Sequence, residues 1–249
     1  MNIIVCIKRV PDSESRIAIA SDGISVDTEG VKFVVNPYDE YAIEEALRLK
    51  EAAGEGTVTV MTLGGEESKE TLRTALAMGA DQAVLLRGRP SIDGLGTAEK
   101  LAEALKGREF DLILFGKQAI DDDNLQVPAM VAELLGLPCA NVVVELQVEG
   151  VKAKAEREVE GGHEVLEFNL PAVVAAQKGL NEPRYASLKG IMAAKKKPLE
   201  EVDVGDAESR LEVLQVTGPP ERSAGEIVGQ GADAVPELVR KLREEAKVL

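Results

Sequence analysis

A polar loop between a strand and a helix is the part of this sequence best suited to bind a small molecule. Residues 111–115 predict a buried strand and residues 125–135 predict a helix. Backbone amides at the start of such a helix can hold a phosphate, Gln126 can donate a hydrogen bond, and an aspartate can accept from ribose hydroxyls. These features predict a nucleotide site, and an ordinary acidic helix start explains them equally well. The loop comprises Gly116, Lys117, Gln118, Ala119, Ile120, Asp121, Asp122, Asp123, Asn124, Leu125, Gln126 and Val127.

Three neighbouring aspartates complicate the nucleotide prediction. Asp121, Asp122 and Asp123 would repel a phosphate if all three side chains pointed towards it. Nucleotide binding therefore requires that some of these carboxylates turn away, either to cap the helix or to pair with a lysine.

Two further segments share the sheet edge predicted for this loop. Ligands of open parallel sheets bind beyond the carboxyl ends of the strands. Residues 6–9 and the turn at residues 63–65 follow predicted strands at that edge, and they begin with Cys6 and Leu63. Cys6 lies within an apolar run, which favours a small core side chain over a reactive thiol.

An apolar anchor is predicted in the segment that follows the last buried strand. Pro183 fixes a turn there, and Tyr185 and Leu188 follow among polar residues. An exposed apolar side chain on a polar loop can anchor a partner protein, while a side chain folded back onto its own core explains the same pattern. The basic run at residues 195–197 is typical of a solvated surface, or it could steer an acidic partner towards this acidic chain.

Alternating strands and helices must position these segments. Strands are predicted at residues 2–7, 57–63, 82–86, 111–115 and 172–176, and helices at residues 39–53, 67–78, 95–105 and 125–135. A small hairpin is predicted at residues 22–35. Short strands that alternate with helices at this spacing imply a doubly wound, mostly parallel sheet.

The pattern changes towards the C-terminus. Three successive strands predict an antiparallel meander at residues 140–148, 151–159 and 163–168. Beyond residue 183 only a strand at 210–216 and an amphipathic helix at 234–247 are regular. Because an apolar helix stripe needs a surface to cover, residues 184–249 are predicted to form an arm around a partner chain. Residues 1–183 are the predicted nucleotide-binding domain.

The composition narrows the possible functions. The 249 residues carry a formal net charge of −15, which disfavours nucleic acid and anionic membranes as partners. Two cysteines and one histidine predict neither a disulfide framework nor a metal site. No P-loop, dinucleotide fingerprint or nucleophile elbow occurs, so no catalytic residues are predicted. No apolar stretch is long enough to span a bilayer, and we expect a cytoplasmic protein that is not an enzyme by itself.

Five sequence blocks resemble the β subunit of electron-transfer flavoproteins. They follow one another in the family's order and span nearly the whole chain, which is far more specific than any single block. The blocks are residues 36–38, 44–51, 71–81, 116–123 and 180–186. The resemblance implies a Rossmann-like fold of the adenine-nucleotide-hydrolase type, with an antiparallel addition and an extended C-terminal arm.

The resemblance also implies cofactors and partners. The α subunit of such a heterodimer holds most of an FAD, and the β subunit buries a structural AMP. The pair takes electrons from acyl-CoA and other dehydrogenases and passes them to a membrane quinone oxidoreductase. The implied AMP contacts are Cys6, Asn36, Pro37, Tyr38, Asp39, Leu63 and the loop from Gly116 to Val127.

The resemblance implies further roles besides AMP binding. Leu188 is the implied anchor for dehydrogenases, and Tyr185, Ile191 and Met192 are expected to join it. Tyr38 is expected near the flavin at the subunit interface. Glu158 matches a family glutamate that biases the position of the flavin domain.

Three positions depart from common family patterns. Lys189 and Gly190 replace a proline-asparagine pair, which predicts a less stiff loop. Val127 removes a hydroxyl that could contact phosphate. Asp122 stands where electron-bifurcating relatives, which bind a second FAD in place of AMP, typically have glycine, so it favours AMP. That second FAD, a freestanding nucleotide-binding module and an ATP-cleaving enzyme of similar fold are the alternatives, and the last would need a phosphate loop after the first strand.

Overall fold

The computed structural model describes residues 1–91, 93–220 and 224–249. In chain order the strands are β1 (Asn2–Cys6), β2 (Arg9–Pro11), β3 (Ala18–Ile19), β4 (Val26–Asp27), β5 (Phe33–Val35), β6 (Thr57–Gly64), β7 (Gln82–Arg87), β8 (Leu112–Gly116), β9 (Cys139–Glu149), β10 (Lys152–Val159), β11 (Gly162–Asn169), β12 (Ala172–Ala176) and β13 (Leu199–Asp203). The α-helices are α1 (Pro37–Ala53), α2 (Lys69–Met78), α3 (Leu95–Lys106), α4 (Val127–Leu135), α5 (Leu188–Ala194) and α6 (Val235–Arg240).

Among the described residues, nine strands form one sheet in the order β11-β10-β9-β12-β8-β1-β6-β7-β13. The strands from β9 to β13 in that order pair in parallel. The strands β10 and β11 pair antiparallel at one end. The predicted doubly wound sheet with an antiparallel addition is confirmed.

Helices cover both faces of the sheet. The apolar stripes of α1 and α2 pack on one face, through residues such as Ile43 and Leu76. The helices α3 and α4 pack on the other face, through residues such as Leu105 and Val131. The central strands are buried on both faces, which is why they are almost continuously aliphatic instead of alternating. Gly54 ends α1 in the left-handed conformation, as its position predicts.

The predicted strand at residues 210–216 is wrong. The structure describes no strand there, and β13 instead pairs with β7 at the sheet edge. In β13, Leu199 and Val202 pack against opposite faces of the core while charged residues point outwards, so the sequence shows no clear alternation. Edge pairing satisfies the backbone groups of β7 that would otherwise lie open.

The predicted hairpin at residues 22–35 is also wrong in its pairing. The strand β5 pairs with β2, and β4 pairs with β3, as two separate short ribbons. Val10 and Val35 are buried at the β2–β5 ribbon, so apolar burial brings β5 back to the residues that follow β1.

The chain beyond β13 runs along α3 before it reaches α6. The Ala207 amide donates to Arg89 O (2.8 Å), and Arg210 pairs with Glu99 (2.9 Å). The predicted C-terminal helix is confirmed, and a π-helical turn, Lys241–Glu245, continues α6. The division at residue 183 and the embrace of a partner stay predictions, and residues 221–223 of the predicted arm lie outside the described residues.

Two features are absent from the described residues, namely membrane-spanning helices and metal-binding clusters. None of their helices has both the length and the apolar character needed to cross a membrane. No group of three or more His, Cys, Asp or Glu among them could hold a metal ion.

Candidate functional site

A cavity of about 540 Å³ opens at the carboxyl ends of β1, β6 and β8. The chain leaves β1 towards one side of the sheet and returns to β8 on the other, so the cavity lies where the strand order reverses. Most residues predicted for the nucleotide site line it, namely Cys6, Asn36, Asp39, Leu63, Gly116, Lys117, Gln118, Ala119, Asp121, Asp122, Asn124, Leu125, Gln126 and Val127.

One wall of this cavity is apolar. Leu63, Leu101, Phe115 and Val127 contribute it, and such a wall suits the faces of a planar base. Burial, and then the charge of Asp39, raise the pKa of the Cys6 thiol. Cys6 therefore stays protonated and serves as a packing residue, as its apolar surroundings predict.

Asn36 and Asp39 join the cavity wall to the sheet. Asp39 accepts hydrogen bonds from the backbone amides of Lys8 (2.6 Å) and Gly116 (3.0 Å) and from Asn36 Nδ2 (2.9 Å). Asn36 Nδ2 also donates to Gln118 O (2.8 Å), and Asn36 Oδ1 accepts from the Ile120 amide (3.2 Å). Both side chains are buried. They hold the ends of β1 and β8 and the start of the 116–127 loop in one arrangement.

The pKa of the buried Asp39 carboxyl is shifted well above its ordinary value. Burial raises its pKa to about 7, although hydrogen bonds from Asn36 and from the amides of Lys8 and Gly116 oppose the rise. Gly116 must be glycine because an added Cβ would lie 2.5 Å from Asp39 Oδ1. The close approach of α1 to the end of β8 therefore depends on that glycine.

Lys8 pairs with two of the three loop aspartates whose charge would repel a phosphate. Its Nζ lies 2.8 Å from Asp121 Oδ1 and 3.0 Å from Asp122 Oδ2, as the predicted lysine pairing requires. Burial lowers the pKa of Lys8, but the two carboxylates more than reverse this and raise it. Asp123 turns away and accepts from Gln118 Nε2. Asp121 and Asp122 line the cavity with their charge paired to Lys8, and Asp123 does not line it.

The end of the 116–127 loop has an unusual backbone conformation where it leads into α4. Asp123 and Leu125 adopt left-handed backbone conformations, with φ of 51° and 54°. Non-glycine residues with positive φ are uncommon and concentrate at functional sites. No side-chain cap serves the first turn of α4 within the described part of the chain. Pro128 in that turn has no N–H, so the amides of Val127 and Ala129 are the ones that lack a side-chain cap.

Sequence reasoning missed one wall of the cavity. Pro90, Ser91, Gly94 and Thr97, between β7 and the first turn of α3, line it. Ser91 Oγ accepts from the Thr97 amide (3.0 Å). The sequence could have predicted this wall, because the segment follows a parallel strand at the same edge of the sheet.

A second cavity, of about 850 Å³, adjoins the first. Pro37, Tyr38 and Ile120 line it instead of the first cavity, and Asp121 lies in the walls of both. With Phe33 and Tyr41 it gathers three of the seven Phe and Tyr residues of a chain without tryptophan. The guanidinium of Arg9 stacks over Phe33 at 3.5 Å, with its buried Nε unpartnered among the described residues.

The residues predicted to dock partners are exposed. Tyr185 is 97%, Leu188 83%, Met192 73% and Ile191 45% exposed. The predicted loop at Leu188 is wrong, because Leu188 opens the helix α5. Ser187 caps α5 by accepting from the Gly190 amide (3.0 Å), and Gly190 allows close contact with Ala77 O on α2. Residues 184–194 thus present an apolar patch from an ordered support.

Glu158 lies near the end of β10 and is exposed. It accepts from Gln177 Nε2 (2.7 Å), just after β12. Lys178, which follows Gln177, lines the second cavity. The structure therefore places Glu158 near that cavity, and its gating role stays a prediction.

Known proteins match this chain along its whole length. The family model of the electron transfer flavoprotein domain matches residues 23–207. The chain is 47% identical over 260 residues to the electron transfer flavoprotein subunit beta of Bacillus subtilis (strain 168), covering 100% of both. It is 43% identical over 225 residues to the same subunit of Syntrophomonas wolfei, covering 90% and 88%. It is 41% identical over 256 residues to the human subunit, covering 100% and 99%. The chain belongs to the electron transfer flavoprotein β-subunit family.

Proposed function

We propose that the chain is the nucleotide-binding and docking subunit of a heterodimeric electron carrier. It holds a structural AMP in the first cavity, forms one side of an FAD site held mainly by an α subunit, and docks acyl-CoA and related dehydrogenases. The FAD, when bound, supplies the electron-accepting chemistry. The carrier then passes electrons to a quinone oxidoreductase, and this chain itself makes and breaks no bonds.

The first cavity carries the AMP proposal. Its volume of about 540 Å³ falls within the range of about 300 to 1,000 Å³ typical of small-molecule sites. The apolar wall at Leu63, Leu101 and Phe115 fits a base, and the uncapped start of α4 fits a phosphate. The pairing of Lys8 with Asp121 and Asp122 offsets one of their two negative charges and so lowers the repulsion that a phosphate would meet.

The second cavity supports the FAD proposal. Its aromatic residues Phe33, Tyr38 and Tyr41 offer apolar faces, and the charged head of Arg9 lies beside them. An aromatic and cationic wall suits a flat ring system bearing electronegative atoms. The cavity is open on one side, so a second subunit would complete the enclosure.

Co-purification tests the proposal. The full chain is expressed with an α subunit, and the nucleotides released on denaturation are separated and counted. We expect a yellow one-to-one complex that releases one AMP and one FAD. Two FAD molecules per complex would favour the bifurcating alternative, and a colourless monomer that hydrolyses ATP would overturn the proposal.

A cavity-filling variant shows which site holds the AMP. Val127 lines the first cavity, so Val127→Trp should reduce the AMP released and leave the FAD content unchanged. Val165→Trp, at an exposed position on β11, is the matched control and should retain both nucleotides. Full AMP content in Val127→Trp would place the nucleotide elsewhere.

A further inference from the structure

Two segments that are distant in the sequence, the helix α1 and the residues that follow β12, are joined by hydrogen bonds and ion pairs. Glu44, Glu45 and Glu51 belong to α1, and Asn181 and Arg184 follow β12. Arg184 Nε donates to Glu44 Oε2 (2.7 Å) and its Nη1 donates to Glu51 Oε1 (2.6 Å). The Arg184 backbone amide also donates to Glu44 Oε2 (3.1 Å). Both the side chain and the backbone of Arg184 are therefore tied to α1.

The contacts of Asn181 extend this connection. Its Nδ2 donates to Glu45 Oε2 (2.9 Å) and to Tyr41 O (3.0 Å), and the residue is buried. The Glu44 side chain is only 4% exposed, against 36% for Arg184. Burial alone would raise the pKa of Glu44, but hydrogen bonds from Arg184 reverse this and hold it below the ordinary value. The Glu44 carboxylate is therefore charged and shielded from water, while Arg184 stays partly exposed, which differs from an ordinary surface ion pair.

The apolar patch begins immediately after this connection. Tyr185 is the next residue, Leu188 opens α5 three residues later, and both are strongly exposed. The helix α5 has seven residues, too few to be stable without tertiary support. At its far end Arg73 Nη1 donates to Lys197 O (3.0 Å), and Lys197 Nζ donates to Ala80 O (2.6 Å) at the end of α2. The patch is thus held at one end by α1 and at the other by α2.

We infer that Arg184, with Glu44 and Glu51, is a positioning clamp that fixes the orientation of the exposed patch for docking. This inference rests on the docking role proposed above. The clamp holds apolar side chains in water, where they would otherwise tend to fold onto nearby apolar surface. A partner then meets an ordered surface and loses less conformational entropy on binding. Arg184 itself is a positioning residue and lines neither of the two cavities described above.

The test compares Arg184→Lys with Arg108→Lys in the complete two-subunit complex. Arg108, just after α3 on the opposite face of the sheet, also pairs through two nitrogens with a glutamate, Glu200 of β13. Lysine keeps the charge but loses the two-pronged geometry. For Arg184→Lys we expect the second-order rate constant of flavin reduction by an acyl-CoA dehydrogenase to fall about tenfold. The limiting rate at saturating donor and the nucleotide content should not change, and Arg108→Lys should match the parent.

A double-mutant cycle separates positioning from general stabilisation. If the clamp acts through the patch, adding Arg184→Lys to Leu188→Ala should cause no further loss of the second-order rate constant. Fully additive losses, or a parental rate constant in Arg184→Lys, would overturn the clamp. If Arg184→Lys does not fold, Glu51→Gln removes one arm of the clamp while Glu44 remains paired, and the same outcomes apply.

Hydrogen exchange tests, independently of docking, whether the clamp keeps α5 ordered. In Arg184→Lys the amides of Gly190, Ile191 and Met192 should exchange about tenfold faster, while those of β8 and α4 keep the parental rates. Unchanged exchange at these three amides would overturn the clamp even if docking were weakened. If Leu188→Ala docks normally, the proposed docking role fails, and the exchange result still shows whether the clamp exists.

Discussion

The 116–127 loop and the 184–194 segment leave the same edge of the sheet and turn their apolar residues in opposite directions. The loop follows β8, the segment follows β12, and these strands are neighbours. Phe115 and Val127, at the two ends of the loop, line an internal cavity. Leu188 and Met192 in the segment point into water.

The difference follows from where the polar anchors lie. Asn36 and Asp39 are buried beneath the loop and bind its backbone, so the loop is drawn over the sheet edge and closes a cavity. The segment is anchored outside the sheet, through Arg184 to the helix α1. Anchoring from beneath creates a cavity, whereas anchoring from the side leaves an ordered apolar surface exposed to water.

The largest effect is expected from a substitution that disrupts the anchoring of the 116–127 loop. In Gly116→Ala the new Cβ would lie 2.6 Å from Tyr38 backbone carbon and 2.5 Å from Asp39 Oδ1. The free energy of unfolding of the full chain, measured with urea, should fall by about 3 kcal/mol because buried backbone cannot move aside. Gly107→Ala, with nothing within 4 Å, should change it by less than about 0.5 kcal/mol. Similar values for both variants would show that the loop is not held tightly to α1.

The dependence of stability on pH measures the raised pKa of Asp39, which is part of the same anchor. Folding raises the pKa of Asp39 to about 7 from 3.8, so between these values the folded chain binds a proton that the unfolded chain lacks. Stability contributed by this group is therefore present at low pH and is lost as pH rises towards 7. Relative to Asp39→Asn, the free energy of unfolding should fall by about 2 kcal/mol from pH 5 to pH 7. A constant difference would mean that three hydrogen bonds keep Asp39 ionised throughout.

The exposed patch gives the next largest effect. Leu188→Ala should weaken docking of an acyl-CoA dehydrogenase about 30-fold, because a buried apolar anchor at an interface contributes about 2 kcal/mol. Flavin content and stability should not change, since Leu188 is 83% exposed in the chain alone. Val151→Ala, at another exposed position, is the control. Equal docking of both variants by titration would remove Leu188 from the interface.

The smallest effect concerns charge beside the first cavity. Lys8→Gln leaves Asp121 and Asp122 without their cation, so AMP affinity of the nucleotide-depleted complex should fall about tenfold by calorimetry. Adding Asp121→Asn to Lys8→Gln should recover much of the affinity. Lys69→Gln, which removes a similarly exposed lysine paired with Glu201, should have no effect. Loss of affinity in that control would indicate a nonspecific charge effect.

Most of the core architecture could be predicted from sequence because local signals agree with the fold there. Apolar runs and helical stripes are found where β1, β6, β8 and β12 and the helices α1 to α4 occur. The strand β13 could not be predicted, because an edge strand of five residues with three acidic side chains has no clear periodicity. The helix α5 was missed for a similar reason, since a short helix depends on packing against α2.

The sequence predicted which segments form the candidate site. It did not predict which residues line each cavity or which side chains bind the protein's own backbone. The loop and its lysine pairing were expected, yet Pro37, Tyr38 and Ile120 belong to the second cavity. Asn36 and Asp39 were expected to contact AMP, and their side chains bind the protein's own backbone. Whether they also contact the nucleotide stays a prediction.

Residue chemistry along the chain was enough to establish a parallel sheet, a polar loop at its carboxyl edge and an apolar residue at position 188. It could not establish which charges neutralise one another or which apolar residues remain in water. The decisive pairs lie 77 residues apart for Asp39 and Gly116 and 140 apart for Glu44 and Arg184. Such contacts exist only after packing has brought distant segments together and removed the water between them, and no local pattern encodes that proximity.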